Sequence, residues 1–344
     1  MSSTLKSVAR QLRAVWMLLL VGVILSIASP VFLTSTNLLN VGLATSMVAL
    51  LAIGQTYVII LAEIDLSVGA TLGFSSVVTA LVLRDHGLLP ALASGLGVGA
   101  AVGLVNGLLV TRTRMPSFIA TLAMMSILSG MTLQLTGGNP VGISDYDFQG
   151  IGQDYVAGIP VPVWLMVAGY AVFGVLLART GFGRFVYATG DNLEAARLSG
   201  IRTQRVKVLA FVISGLLAAL GGFILTARLS TAEPTAGTGL ELESIAAVII
   251  GGTSLAGGRG KLLGTLVGAL VLGVIDNGMN LLDVSPFLQS VVKGVVILLA
   301  VFLDRNVDAL RAMVAWRKPP RPSEPSARDT IPASTPVPAA RHTP

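Results

Sequence analysis

The chain has 344 residues, of which 53% are hydrophobic and only 12% are charged, and its mean hydropathy is +0.81. A soluble domain carries about 25% charged residues, so the composition excludes a soluble protein and predicts an integral membrane protein. Because the chain has no cysteine, disulfides, zinc–thiolate sites and thiol catalysis are excluded. Two histidines are too few for a histidine-rich metal site.

The hydrophobic segments, taken in chain order, predict a polytopic all-α protein. Residues 1–13 are polar and basic, and we expect them in the cytoplasm. The run 14–33 predicts a retained first span, since it is long for a signal peptide, although 26–28 resembles a cleavage site. About ten segments each approach the length of about 20 residues that a helix needs to cross the hydrocarbon. After 14–33 they are 38–62, 66–83, 90–110, 117–136, 162–178, 206–227, 241–257, 262–282 and 286–303. Glycine pairs interrupt 241–257, which makes it the weakest of them.

The distribution of positive charge predicts the orientation. With the N-terminus inside and the spans alternating, the cytoplasmic segments hold 20 of the 23 Lys and Arg residues. These segments are 1–13, 111–116, 179–207, 256–261 and 304–344. Such asymmetry follows the positive-inside rule and predicts that both termini are cytoplasmic. It also explains the net charge of +6 without nucleic acid. The tail 304–344 is expected to be disordered from about residue 317, where it becomes rich in proline.

A weak internal repeat suggests two inverted halves. The sequence at 98–107 is similar to that at 267–278 if two residues are inserted in the second copy. About five spans separate the copies, and an odd number places them in opposite orientations, as in many transporters. Two inverted five-helix repeats are therefore expected. Chance similarity between helices rich in Gly, Ala and Val is the alternative.

The polar, basic loop 179–207 predicts a short docking helix on the cytoplasmic face. Asp191 with Glu194 is typical of a helix N-cap with its capping-box partner, and Gly200 is typical of a C-terminal stop. About two turns of helix are too few to be stable alone in water, so we expect a partner protein. Leu193, Ala196 and Leu198 are the apolar side chains expected on its exposed face. The docking segment comprises Gly190, Asp191, Leu193, Glu194, Ala195, Ala196, Leu198, Ser199 and Gly200.

The polar joint 63–65 separates two apolar segments. Glu63 and Asp65 bring two carboxylates to it, and Asp65 or Ser67 could cap the following helix. We interpret the joint as a hinge or as part of the lining of a transport pathway; a simple capped loop is the alternative. An acid–base pair finds no support elsewhere in the sequence. Gln55, Asn106 and Asn277 are further polar candidates for the pathway lining.

The glycine-rich stretch 251–261 resembles a phosphate-binding loop only superficially. Such a loop needs a glycine at its first position and Ser or Thr after the lysine, whereas Leu255 and Leu262 occupy those positions. The stretch is better interpreted as broken or tightly bent backbone. We therefore expect this chain not to hydrolyse ATP.

Asp276 and Lys293 lie within the last two spans at about equal distances from the turn that joins them. A charge at a helix centre costs about 2.5–3.5 kcal/mol, so it should face the interior or find a partner. We therefore predict that the two residues pair, with Asn277 or Asn280 as possible additional partners. A structural clamp is favoured over substrate contact, and exchanging the two charges is expected to rescue the single variants.

Three motifs together resemble the permease subunits of bacterial ABC sugar importers of the ribose, xylose and galactose type. They are EIDLSVG at 63–69, ATGDNLEAARLSGI at 188–201 and IGGTSLAGGRG at 250–260. The resemblance covers about 10–305 and implies a fold like that of type II ABC importer permeases. The family often has glycine before the IDLSVG core or at the position of Ala62, and the proline-rich tail is unusual for it.

The resemblance also implies partners and a location. It implies an inner-membrane permease dimer, formed by identical or different subunits, with two cytoplasmic ATPase domains and a periplasmic sugar-binding protein. ATP and Mg²⁺ would bind to the ATPase, and the chain itself would hold no cofactor. In that family the loop matching 190–200 couples to the ATPase. A secondary transporter driven by an ion gradient is the rival interpretation, and it would leave the docking helix without a partner.

Overall fold

The computed structural model describes the backbone of residues 3–315 and the side chains of residues 14–302. The helices are α1 Ser3–Ala28, α2 Ser35–Ile60, α3 Val68–His86, α4 Leu88–Arg112, α5 Ser117–Thr136, α6 Tyr146–Gln153, α7 Val161–Arg179, α8 Gly181–Asp191, α9 Leu193–Leu198, α10 Thr203–Leu229, α11 Leu240–Ile250, α12 Leu262–Leu281 and α13 Pro286–Ala315. The strands are β1 Val141–Gly142, β2 Tyr155–Val156, β3 Ile159–Pro160 and β4 Thr231–Ala232. Residues up to Asp304 form one compact unit, and the described residues 305–315 belong to a second. The predicted disorder from residue 317 lies outside the described residues.

Seven described helices are long and apolar enough to cross a membrane, namely α2, α3, α4, α5, α7, α10 and α12. The apolar parts of α1 and α13 are shorter, at 14–28 and 286–302. The segment 241–257 is not a full span. Its helix, α11, has 11 residues and a length of about 16 Å, roughly half of the hydrocarbon thickness. The chain leaves the helical path after it because Gly252, Gly257 and Gly258 have φ values of 89°, 83° and 68°. The expected count of ten spans is therefore not confirmed.

Helices α2 and α10 form the centre of the compact unit. Residues 49–60 of α2 are all buried. Helix α10 packs against α2 on one side and α4 on another. Glycines allow these backbones to meet: a Cβ atom on Gly99 would collide with the carbonyl oxygen of Gly215, and one on Gly54 would lie 2.7 Å from the Cα of Ser214. Close approach through small residues is how membrane helices gain packing energy without a hydrophobic force between them.

The directions of the central helices place the two copies of the sequence repeat in opposite orientations. Helix α4 is antiparallel to α10, α10 is antiparallel to α2, and α2 is antiparallel to α12. The facing pairs are Gly99–Gly215 and Gly107–Val208, then Leu51–Gly221 and Gly54–Ser214, then Asn37–Asn277 and Thr56–Thr265. Helices α4 and α12, which carry the repeat, therefore run in opposite directions. An inverted arrangement requires this, and the inverted repeat itself stays a prediction.

The bundle has two distinct ends. At the end that we call the strand end, β1 pairs with β4, and β2 pairs with β3. The segment 137–161 is folded there. Asp145 caps α6 by accepting from the N–H of Phe148 at 2.8 Å, and the buried ring of Phe148 packs on Phe223. At the opposite end, the junction end, lie the glycine turn 251–261, helices α8 and α9, and residues 61–67 between α2 and α3. This connection contains the predicted joint 63–65, and we call all of it the joint.

Candidate functional site

Three chain segments meet in backbone contact at the junction end. The N–H of Gly258 in the glycine turn donates to the carbonyl oxygen of Ile60, the last residue of α2, at 2.8 Å. A Cβ atom on Gly190 of α8 would collide with that same carbonyl, and one on Gly258 would lie 2.8 Å from the Cα of Asp191. No side chain larger than glycine fits between these backbones. We call this contact of residues 60, 190–191 and 257–260 the junction.

Two aromatic side chains of α8, Tyr187 and Phe182, hold this helix at the junction end. The hydroxyl of Tyr187 donates to the carbonyl oxygen of Gly260 at 2.8 Å. Burial raises the pKa of the Tyr187 phenol, so the group remains a neutral donor. The ring of Phe182 stacks on Tyr57 of α2 with 6.0 Å between the centroids. Helix α8 is thus held against both α2 and the glycine turn.

Helix α9 exists as predicted, but its N-cap is Asn192 and not Asp191. The Oδ1 of Asn192 accepts from the N–H of Ala195 at 2.9 Å, and its backbone is extended (φ −153°, ψ 102°), as an N-cap requires. Asp191 is the last residue of α8, so Glu194 is not a capping-box partner. The predicted stop is confirmed, since Gly200 follows α9 with φ 81°.

The outer face of α9 presents two leucines to the surroundings. Leu198 is 80% exposed and Leu193 is 47% exposed. Ala196 is only 4% exposed, so its expected place on the exposed face is wrong: it turns toward the protein. Glu194, Ala195 and Ser199 are also exposed. We call Leu193, Glu194 and Leu198 the α9 surface.

Four of the residues predicted for the hinge and pathway come together around one buried carboxylate. Asp65 is 1% exposed. Its Oδ1 accepts from the backbone N–H of Ser67 at 3.0 Å and from the hydroxyl of Ser67 at 2.7 Å. Asn106 Nδ2 donates to Ser67 Oγ at 2.8 Å, and Gln55 Nε2 donates to the carbonyl oxygen of Asp65. Ser214, which the sequence did not single out, donates to Asp65 Oδ2 at 2.9 Å. These five residues are the Asp65 cluster.

Further contacts fix the rest of the joint. Glu63 forms an ion pair with Lys207 of α10, and both side chains are mostly buried. Ser117 and Thr121 of α5 accept from the backbone N–H groups of Ile64 and Leu66, each at 3.0 Å. Ser67 precedes α3 without forming a side-chain cap, so the joint is not a simple capped loop. It is tied to α2, α4, α5 and α10.

The predicted pairing of Asp276 with Lys293 is confirmed, with a third member. Lys293 Nζ lies 3.0 Å from Asp276 Oδ2 and 2.7 Å from Glu243 Oε1. These three residues, on α12, α13 and α11, are the Lys293 group. The suggested amide partners lie elsewhere: Asn277 exchanges hydrogen bonds with Asn37, and Asn280 accepts from Gln289. Glu243 was missed because 241–257 was taken for a full span.

A separate cavity of about 130 Å³ lies between α3, α5 and the segment that precedes α11. Its polar lining comes from Ser129, Thr132, Thr238 and Glu241, and the backbones of Gly69 and Gly237 complete it. The pathway residues selected from the sequence do not line this cavity.

The long apolar helices define a polytopic membrane protein. The chain belongs to the family described as branched-chain amino acid transport system, permease component, whose pattern matches residues 37–301. The family consists of transporter components, so the chain is a transport subunit and not itself an enzyme.

Similar proteins are sugar import permeases. The chain is 50% identical to the ribose import permease protein of Bacillus subtilis over 83% of this chain and 90% of that protein. It is 47% identical to the ribose import permease protein of Escherichia coli K12 over 84% and 92%. It is 40% identical to the L-arabinose ABC transporter permease protein of Azospirillum brasilense over 82% and 83%. The resemblance inferred from the three motifs is thereby confirmed. No solved structure matches the chain.

Proposed function

We propose that the chain is the permease of an ATP-driven ribose importer. The observation that carries this proposal is the 50% identity to a ribose import permease over nine-tenths of that protein's length. Arabinose permeases are less similar, at 40% identity. The sugar would be delivered by a periplasmic binding protein, and ATP with Mg²⁺ would bind to a separate ATPase chain.

The junction supports a route from the ATPase to the spans. The α9 surface offers two exposed leucines to a partner. Helix α9 follows α8 through Asn192 alone, and α8 contacts the end of α2 at Ile60 and the turn leading into α12 at Gly258. Movement of α9 would therefore shift α2 and α12 together and produce alternating access. Backbone contacts suit this role because they cannot yield as flexible side chains do.

We place the junction end in the cytoplasm of a bacterium, with the chain in its inner membrane. Arg112, Arg114, Arg179, Arg197 and Arg202 lie at or next to this end, as the positive-inside rule requires of cytoplasmic loops. The transporter would contain a second permease subunit, and lipid would cover the remaining exposed apolar faces.

Transport in proteoliposomes tests the function. The chain is reconstituted with a candidate ATPase and a candidate sugar-binding protein, and uptake of radiolabelled ribose and arabinose is compared. We expect ribose uptake that requires ATP and both partners. Uptake that needs no ATPase and follows an ion gradient would overturn the proposal in favour of a secondary transporter.

Co-purification tests the coupling role of α9. We expect Leu198→Ser to lose the ATPase while the variant still inserts into the membrane. Leu89→Ser is the matched control, because Leu89 is similarly exposed (78% against 80%) at the start of α4, at the strand end. Equal ATPase recovery with both variants would contradict a docking role for the α9 surface.

A further inference from the structure

The Asp65 cluster contains a buried carboxylate without a positive partner. Asp65 receives three hydrogen bonds, all from neutral donors on Ser67 and Ser214. No described Lys, Arg or His side chain forms a salt bridge with it; the nearby Lys207 pairs with Glu63. Burying an ionised carboxylate is costly unless a positive charge or a metal ion compensates it.

The same cluster holds two buried oxygen atoms without hydrogen-bond partners. They are Gln55 Oε1 and Asn106 Oδ1, and both side chains are 0% exposed. The NH₂ group of each amide is already engaged within the cluster, with the carbonyl oxygen of Asp65 and with Ser67 Oγ. The oxygens are therefore the free ends of amides whose orientation is fixed. A buried acceptor without a donor is unfavourable and calls for an explanation.

We propose that the Asp65 cluster binds one monovalent cation of the size of Na⁺. The oxygen atoms of Asp65, Gln55, Asn106, Ser67 and Ser214 would supply its ligands. Hard cations prefer carboxylate, amide and hydroxyl oxygens, and an ion here compensates the charge and uses both free amide oxygens. A proton on Asp65 would remove the charge but supply one donor at most for the two oxygens. A water molecule can donate to two acceptors but would leave the charge. A divalent ion would leave a net positive charge beside a single carboxylate.

The ion would stabilise the unwound joint between α2 and α3. Its ligands come from α2, the joint, α4 and α10, so one ion links the joint to three helices. The ligands are almost completely buried, so we assign the ion a structural role.

Thermal unfolding of the purified full-length chain in detergent tests this site without any transport partner. Tm is measured in NaCl, LiCl, KCl and choline chloride at constant ionic strength, and binding of radioactive ²²Na⁺ is measured directly. We expect a saturable rise in Tm with Na⁺ over choline, together with ²²Na⁺ binding. Asp65→Asn should abolish both. Glu63→Gln is the matched control, since its carboxylate lies two residues away but pairs with Lys207, and it should keep both.

A second variant tests the cation site if Asp65→Asn does not fold. Asn106→Ser removes one proposed ligand and should weaken ²²Na⁺ binding by about tenfold or more. A Tm that does not depend on the Na⁺ concentration but changes between mildly acidic and neutral pH would overturn the proposal and indicate a protonated Asp65. A Tm that responds to neither, without ²²Na⁺ binding, would overturn it in favour of buried water. These results are independent of whether the chain imports ribose.

Discussion

The N–H of Gly258 donates to the carbonyl oxygen of Ile60 at 2.8 Å, across almost 200 residues of sequence. The last carbonyls of a helix have no partner within the helix, and here the glycine turn supplies one for α2. Because Gly190 of α8 meets the same carbonyl, this one group joins the segment next to α9 with two parts of the bundle.

Adding a single methyl group at the junction should separate these segments. Gly190→Ala places a Cβ atom against the backbone of Ile60 and Gly258, and overpacking of this kind costs about 1–3 kcal/mol. We expect a lower Tm and weaker stimulation of the ATPase by sugar-loaded binding protein. Gly181→Ala, in the same helix, is the control, because its nearest neighbour would be the end of the Arg184 side chain at 3.8 Å. Similar results for both variants would contradict a tight junction.

Removal of the Tyr187 hydroxyl should loosen α8 more mildly. Tyr187→Phe leaves the carbonyl oxygen of Gly260 without this donor, which costs about 1 kcal/mol. We expect a small fall in Tm, measured on the purified chain in detergent. The exposed Tyr146, 85% accessible, provides the control, and Tyr146→Phe should leave Tm unchanged. A fall of equal size in the two variants would show that the Tyr187 hydrogen bond contributes nothing.

The ion pair between Glu63 and Lys207 should tolerate an exchange of charges. Each single reversal places two like charges together in a mostly buried position, so we expect each to reduce Tm and the yield of inserted protein. Glu63→Lys combined with Lys207→Glu restores an attractive pair and should recover most of the loss. A double variant no better than either single one would show that the pair is not the source of the effect.

The Lys293 group should behave differently, which revises the expectation from the sequence. After the exchange of Asp276→Lys and Lys293→Asp, the new aspartate would face Glu243, so we expect no full rescue. Lys293→Met should be the most damaging single change, because it leaves two carboxylates without their cation, and a charge at a helix centre costs about 2.5–3.5 kcal/mol. Adding Glu243→Gln to Lys293→Met should recover part of the Tm. Full recovery of Tm by the exchanged pair would mean that Glu243 does not contribute to the stability of the Lys293 group.

The sequence by itself determined the class of protein, most span positions and the existence of α9. Hydropathy over about 20 residues is a local property, and α5 begins and ends where it was predicted. The sequence could not show which residue is the N-cap of α9, because Asp191 and Asn192 are equally good capping residues. Only the backbone conformation decided for Asn192.

Apart from the pairing of Asp276 with Lys293, which the sequence predicted, the tertiary structure decided which polar residues meet. The rotation and register of each helix bring Ser214 to Asp65, Lys207 to Glu63, and Glu243 to Lys293. Hydropathy averaged along a span carries no information about either property. The shortness of α11 has a local cause. The glycine pairs in 241–257 are visible in the sequence, but only the structure shows that their positive φ angles end the helix at about half of the membrane's thickness.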